Sequence, residues 1–287
     1  MDIIISNLQK ADVFASLFQH MKLFTEHITI MFDKEKMYIQ AMDASRVSIL
    51  EFTIPVAWFD KYEHTCASAI PIGVHATCLY KILSTRDKAQ EIHISFKEDE
   101  SDKLYFHFTC GRSLTNGIAA AAAATDDDGA AVAVKDAVNK SVFDKRFELP
   151  LMDIDFETMH IPESECQAEF SILSGTFSSL IHQLKLFGDT LEIECSEEQI
   201  LLHSLSVETG KMSVEIDIND LTEFSINEGE TMNLSFSLSL LNNICMYNKL
   251  AKEVVIQLTS NFPMKVTYDL GDDASICFYL APRINDD

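Results

Sequence analysis

The stretch LMDIDFETMHIPESE at 151–165 sets Asp155, Glu157, Glu163 and Glu165 around Met159, Ile161 and Pro162. Proline disfavours helix at the residue before it, and acids around a few spaced apolar side chains suit an extended strap over a surface. Outward from this strap the chain divides into two halves with the same order of elements. In the first half, Phe14, Leu17, Phe18 and Met21 recur at steps of three and four among polar Gln9, Lys10, Ser16 and Gln19, as on an amphipathic helix. The pattern returns at 75–84 (Leu79, Ile82, Leu83), 176–187 (Phe177, Leu180, Ile181, Leu184) and 237–249 (Leu238, Leu241, Cys245). Helix starts near 7 and 75 lie 68 residues apart and those near 175 and 237 lie 62 apart, so the second half repeats the first.

Between these helices run segments of period two. They are IHISF at 92–96, LYFHF at 104–108, LEIEC at 191–195, KMSVEID at 211–217 and EVVIQL at 253–258, and Ile3 to Ile5 makes a further short strand before the first helix. The expected fold class is α+β, with two similar domains, each carrying two helices on one face of an antiparallel sheet. The boundaries are an N-terminal domain at 1–153, a connector at 154–166 and a C-terminal domain at 167–287. The segment GRSLTNGIAAAAAATDDDGAAVAVKDAVNK at 111–140 differs from its surroundings. It is read as an insertion at about 112–140 forming a mobile loop excursion, the alternative being an ordered element that contacts something.

Composition limits the function. With 287 residues, 47% of them hydrophobic, the chain is long enough for two cores. Its net charge of −23 disfavours an open nucleic-acid surface, because such surfaces gain affinity by replacing phosphate counterions with Lys and Arg. Any DNA contact must be local, as on a positive surface enclosed by an acidic shell. The cysteines Cys66, Cys78, Cys110, Cys166, Cys195, Cys245 and Cys277 stand singly, without zinc spacing, and suit small apolar residues in a reducing compartment. The start MDIIISNLQK reads as no targeting leader, and no apolar run approaches membrane-spanning length. HExxH, GxSxG and P-loop motifs are absent. The pairs Asp43 with Ser45 and Asp153 with Asp155 have groups able to hold a metal, and short acidic runs of this kind read as turns or solvated faces. The expectation is a protein that is not an enzyme and uses no cofactor or metal.

Three separated segments carry a resemblance: IQAMDASRVSI at 39–49, the strap at 151–165 and FYLAPRI at 278–284. Together they resemble the eukaryote-type DNA sliding clamp, the proliferating cell nuclear antigen family, and the similarity runs through both halves. It implies a homotrimer closed head to tail into a pseudo-sixfold ring, with helices lining the hole. The implied function is a processivity factor that encircles duplex DNA without reading sequence and tethers DNA polymerase and other replication and repair proteins. An ATP-driven clamp loader is implied as a partner. Client peptides are expected in a pocket formed by Met42, Val47, Met159, Ile161, Pro162, Phe262, Pro263, Tyr279, Leu280, Ala281 and Pro282.

Lys22 and Lys81 match lysines of the family's inner helices, and Lys10, Arg86, His182, Lys185 and Lys249 are further DNA-facing candidates. The subunit interface is expected to join Val142, Phe143, Phe147 and Leu149 to Lys211, Met212, Val214 and Ile216 of the next subunit. Arg46 stands where histidine is common, and Cys166 where an aromatic follows the linker. Ser179 and Met246 replace basic residues, His182 replaces an arginine, and Glu197 occupies the place of the lysine ubiquitinated in animal and fungal clamps. The location implied is nuclear, or a viral replication compartment. Alternatives are a subunit of a heterotrimeric checkpoint-type clamp, an acidic non-catalytic interaction scaffold, and a hydrolase using Asp153 and Asp155 around a metal.

Overall fold

The computed structural model describes residues 1–66, 68–110, 142–154, 157–162 and 164–283. The insertion at 112–140, Asp155, Glu163 and Ile284 lie outside these residues. In the first half, β1 (Asp2–Ile5), α1 (Leu8–Phe24), β2 (His27–Phe32), β3 (Lys36–Met42) and β4 (Ser48–Pro55) are followed by β5 (Lys61–Glu63) and β6 (Ile70–His75). Then come α2 (Ala76–Leu83), β7 (Glu91–Ser95), β8 (Lys103–Thr109) and β9 (Lys145–Pro150). The second half begins with β10 (Ala168–Leu173), α3 (Ser174–Leu184), β11 (Thr190–Cys195), β12 (Gln199–Ser206) and β13 (Gly210–Asp217). It closes with β14 (Glu223–Ile226), β15 (Met232–Ser237), α4 (Leu238–Cys245), β16 (Glu253–Leu258), β17 (Met264–Gly271) and β18 (Ala274–Leu280).

The expected repeat is present, since each half supplies two helices that pack on each other, α1 on α2 and α3 on α4. The α1 stripe of Ala11, Phe14, Leu17, Phe18, Met21 and Phe24 is buried. Its start is fixed by Asn7, whose side-chain oxygen accepts from the amides of Gln9 at 3.0 Å and Lys10 at 3.2 Å.

All the strands pair antiparallel. A five-stranded sheet in the order β5-β1-β7-β8-β9 belongs to the first half and a four-stranded sheet, β13-β12-β11-β15, to the second. The third sheet spans both halves. Its nine strands run β14-β10-β16-β17-β18-β4-β3-β2-β6, and the seam is the β18–β4 ladder, where Tyr279 faces Ile49 and Cys277 faces Glu51. One continuous core of buried residues extends from Ile3 to Leu280.

Several boundaries differ from the sequence reading. The third helix stops at Leu184 because the chain must turn at Gly188, where a Cβ would lie 2.5 Å from the Leu205 carbonyl oxygen. The fourth stops at Cys245, and the chain continues in tighter turns in which the amides of Met246, Tyr247, Asn248 and Leu250 bond three residues back, as Asn248 does to Cys245 at 3.2 Å. Strand β9 begins at Lys145 rather than near Val142. The buried Gln90 amide donates to the Phe143 carbonyl at 2.8 Å and holds that segment off the ladder.

Candidate functional site

The connector is held at both ends and in its middle. Leaving β9, the Met152 amide donates to the Gly73 carbonyl at 2.8 Å, bridging the outer edge of β6. Only glycine fits there, since a Cβ on residue 73 would lie 2.3 Å from the Met152 oxygen. In the middle, Gln40 on β3 is buried and grips the Met159 backbone from both sides. Its Nε2 donates to the Met159 carbonyl at 2.9 Å, and its Oε1 accepts the Met159 amide at 2.7 Å. At the far end, the Thr259 hydroxyl donates to the Glu165 carbonyl at 3.2 Å and the Gln167 side chain accepts the Ser260 amide at 2.6 Å.

Beneath this strap, across the seam between the halves, lies a pocket of about 760 Å³. Its walls include Met159, Ile161 and Pro162 from the connector, Phe262 and Pro263 from the turn before β17, and Tyr279 from β18. These are six of the residues the sequence singled out. Cys166, which the sequence marked just after the linker, is on the wall too, with Glu51, His160, Gln257 and Lys265, which sequence reasoning missed. The Glu51 carboxylate gathers Tyr38 Oη at 2.6 Å, Gln40 Nε2 at 3.1 Å and Tyr279 Oη at 3.1 Å. Burial, followed by the adjacent Glu51 charge, pushes the Tyr279 phenol well above its ordinary range, so it stays a donor.

The other expected pocket residues sit beside this cavity. Met42 is half-buried at the end of β3, and Val47 is 36% exposed. The Ala281 amide donates to the Val47 carbonyl at 3.0 Å, bringing the tail and the 43–48 turn together, with Ala281 and Pro282 half-buried. Asp43 shapes that turn: one carboxylate oxygen accepts the amides of Val47 at 2.8 Å and Ser48 at 2.6 Å, and the other accepts the Ser45 amide at 2.8 Å. Burial would raise the Asp43 pKa, but the Ser45 hydroxyl, which also donates to the carboxylate, and then these amides outweigh it and hold the group below the usual carboxylate range. Arg46 stands exposed there with a φ of 60°. Leu280 departs from expectation: it is fully buried and presents no side chain to a ligand. Period two explains this, because Tyr279 faces outward on β18 and its neighbour must face the core.

The cationic candidates divide. Lys81, His182 and Lys249 are exposed, and Lys185 is half-buried. Lys22 lies with its Nζ 3.8 Å from the centre of the Tyr80 ring, joining α1 to α2. The sequence reading missed His20, which sits between the halves with its ring 5.3 Å from that of Tyr247. Burial first, then the charges of Lys249 and Lys22, depress its pKa. Those two lysines therefore share one neighbourhood although they come from different halves. Arg86 does not belong with them. Its side chain is only 3% exposed, pairs with Asp12 and donates to the Gln90 carbonyl at 2.6 Å. Lys10 is also engaged, bonding Asp272 at 2.7 Å and the Trp58 carbonyl at 2.8 Å.

The edges expected to join subunits are both outermost strands, β9 of the five-stranded sheet and β13 of the four-stranded sheet. Phe143 is 71% exposed and Val142 36%. Phe147, Met212 and Val214 are half-buried, and Lys211 is exposed. Leu149 and Ile216 are buried in their own sheets, so at these positions the edge offers only backbone. Leu186, Leu205 and Val207, which the sequence reading passed over, form further exposed apolar surface near β13.

Among the described residues, no helix is long and apolar enough to cross a membrane. The family model for the proliferating cell nuclear antigen N-terminal domain matches residues 3–116, and that for the C-terminal domain matches 160–283. A curated relative, the proliferating cell nuclear antigen of Chaetomium thermophilum, is 26% identical over 287 residues, covering 98% of each chain.

Proposed function

The chain belongs to the proliferating cell nuclear antigen family, and from that premise we propose residue by residue how it works as a DNA sliding clamp. Clamps of this family are non-catalytic. They form homotrimeric rings around DNA and bind polymerases and other clamp-interacting proteins. This chain is a clamp of that kind, serving replication and repair.

The observation that carries the assembly is a pair of outer strands on different sheets, β9 and β13, whose free edges have no strand partner among the described residues. An exposed edge is a template for pairing, and joining β9 of one copy to β13 of the next hides both. The contact is heterologous, so three copies close it into a ring where an open series would give a fibre. The domains at 1–153 and 167–287 become the repeating units, with 154–166 as the strap between them. The helices face the hole, where Lys22, Lys81, His182, Lys185 and Lys249 attract phosphates without reading bases.

Client peptides dock in the pocket below the connector. The apolar anchors enter between Met159, Ile161, Phe262 and Pro263, and Val47 with Pro282 extends the groove toward the tail. The site of action is the nucleus, as for the replication proteins of the family.

Light scattering during size exclusion, over a dilution series at moderate salt, tests the assembly. A mass of three chains that persists on dilution supports the ring. A monomer at every concentration refutes it.

A further inference from the structure

We propose that Glu26, His27 and His75 form a binding site for a transition-metal dication of the zinc class, and that filling it releases the first turn of α2. This inference stands apart from the client pocket and the ring. The ligating atoms of the three residues all lie within 4.8 Å of one another, and they are the only such group among the described residues.

The scaffold is rigid. His27 and His75 are direct partners in the β2–β6 ladder, with ring centres 5.2 Å apart. The Ala76 amide donates to the Glu26 carbonyl at 2.9 Å, so the third ligand is fixed to the same corner. Glu26 Oε1 already lies 3.2 Å from His75 Nε2. A tetrahedral ion bound at about 2.0–2.1 Å needs its donors about 3.3 Å apart. Exposed Glu26 and His27 have the rotamer freedom to close the remainder. Two imidazoles and one carboxylate suit zinc, copper, nickel or cobalt rather than magnesium or calcium, and leave a position for water. The site also follows the C-terminal end of α1, where the helix dipole favours a cation.

The coupling follows from the His75 tautomer. Its Nδ1 caps α2 by accepting the Thr77 amide at 3.2 Å, so in the neutral ring the proton sits on Nε2 and faces Glu26. A metal at Nε2 needs a lone pair there, so the ring must tautomerise and its single proton moves from Nε2 to Nδ1. No proton leaves the ring, but Nδ1 can no longer accept from Thr77. Metal and helix cap therefore exclude each other. The loosened turn precedes Tyr80, whose ring supports Lys22.

The test uses the full chain stripped of metal and titrated with Zn²⁺ by calorimetry and with Co²⁺ by absorbance. The expected result is one ion per chain, with a cobalt spectrum lacking the thiolate charge-transfer band that the cysteines would produce. His27→Gln should weaken binding by at least about tenfold, the smallest loss usual even for residues that only support a ligand. His75→Asn should do the same while keeping a side chain able to cap the helix. Hydrogen exchange at Thr77 should speed up when the wild-type site fills and stay constant in His75→Asn. Absence of binding, a thiolate band, or wild-type affinity in either variant would overturn the site. Unchanged Thr77 exchange in the filled wild type would overturn the coupling.

Discussion

Glu51 and Gln40 decide the shape of the client pocket, yet neither stands out in the sequence. Gln40 follows an ordinary strand pattern and Glu51 is one acid among 45 acidic residues. Their roles arise because β3 and β4 place them directly opposite each other, below Met159. By contrast, Tyr279, Phe262 and Met159 were legible because they sit in motifs of recognisable order. Leu280 was misread because a motif groups neighbours that a strand sends to opposite faces. Gln40→Ala removes both grips on the connector, and two hydrogen bonds of about 1 kcal/mol each pre-organise the strap. Client-peptide affinity should fall roughly five- to thirtyfold in calorimetry, with the trimer intact. Asp43 gives a pH signature. Its folded-state pKa is depressed, so its contribution to stability is full above the ordinary carboxylate range and is lost as pH falls through the folded value. Thermal unfolding of Asp43→Asn should show a lower midpoint at neutral pH, by about 1–3 kcal/mol of stability, and a flatter decline into acid.

At the level of elements, periodicity located the helices and most of the strands, because apolar spacing records which side of each element faces a core. Element ends were less visible. They depend on distant groups, such as the Gln90 amide that keeps Phe143 off β9 and the Leu205 carbonyl that crowds Gly188. The two free edges also carry charges that fit an antiparallel join. A register with Phe147 opposite Val214 sets exposed Arg146 opposite exposed Glu215. Arg146→Glu should then place like charges face to face. Each cross-strand pair is worth about 0.2–1 kcal/mol, so the ring should dissociate at higher protein concentration, and adding Glu215→Arg should restore it. Sedimentation of the single and double variants checks this.

On the scale of the whole molecule, the acidic composition and the DNA-encircling role are compatible because the attraction is confined to a few residues. The structure shortens the list of such residues, since Arg86 and Lys10 are committed within the chain. DNA attraction should be weak and easily screened by salt. In a plot of log affinity against log salt, Lys81→Ala should reduce the slope by about 0.9 for each phosphate that the lysine neutralises. Arg86→Gln should leave the slope unchanged and lower the melting temperature instead. Two-fold repetition was legible from helix spacing, but the nine-stranded sheet was not. No local pattern reports that β18 pairs with β4, more than two hundred residues away, because each strand shows only the alternation that any half-buried neighbour would demand.

That seam has a further consequence. The connector is not what keeps the halves together, since the β18–β4 ladder and the shared core already do so. A protease cut within 154–166 would leave two fragments still zipped side by side. Halves made separately could find each other and reconstitute the particle, much as the parts of a split reporter do.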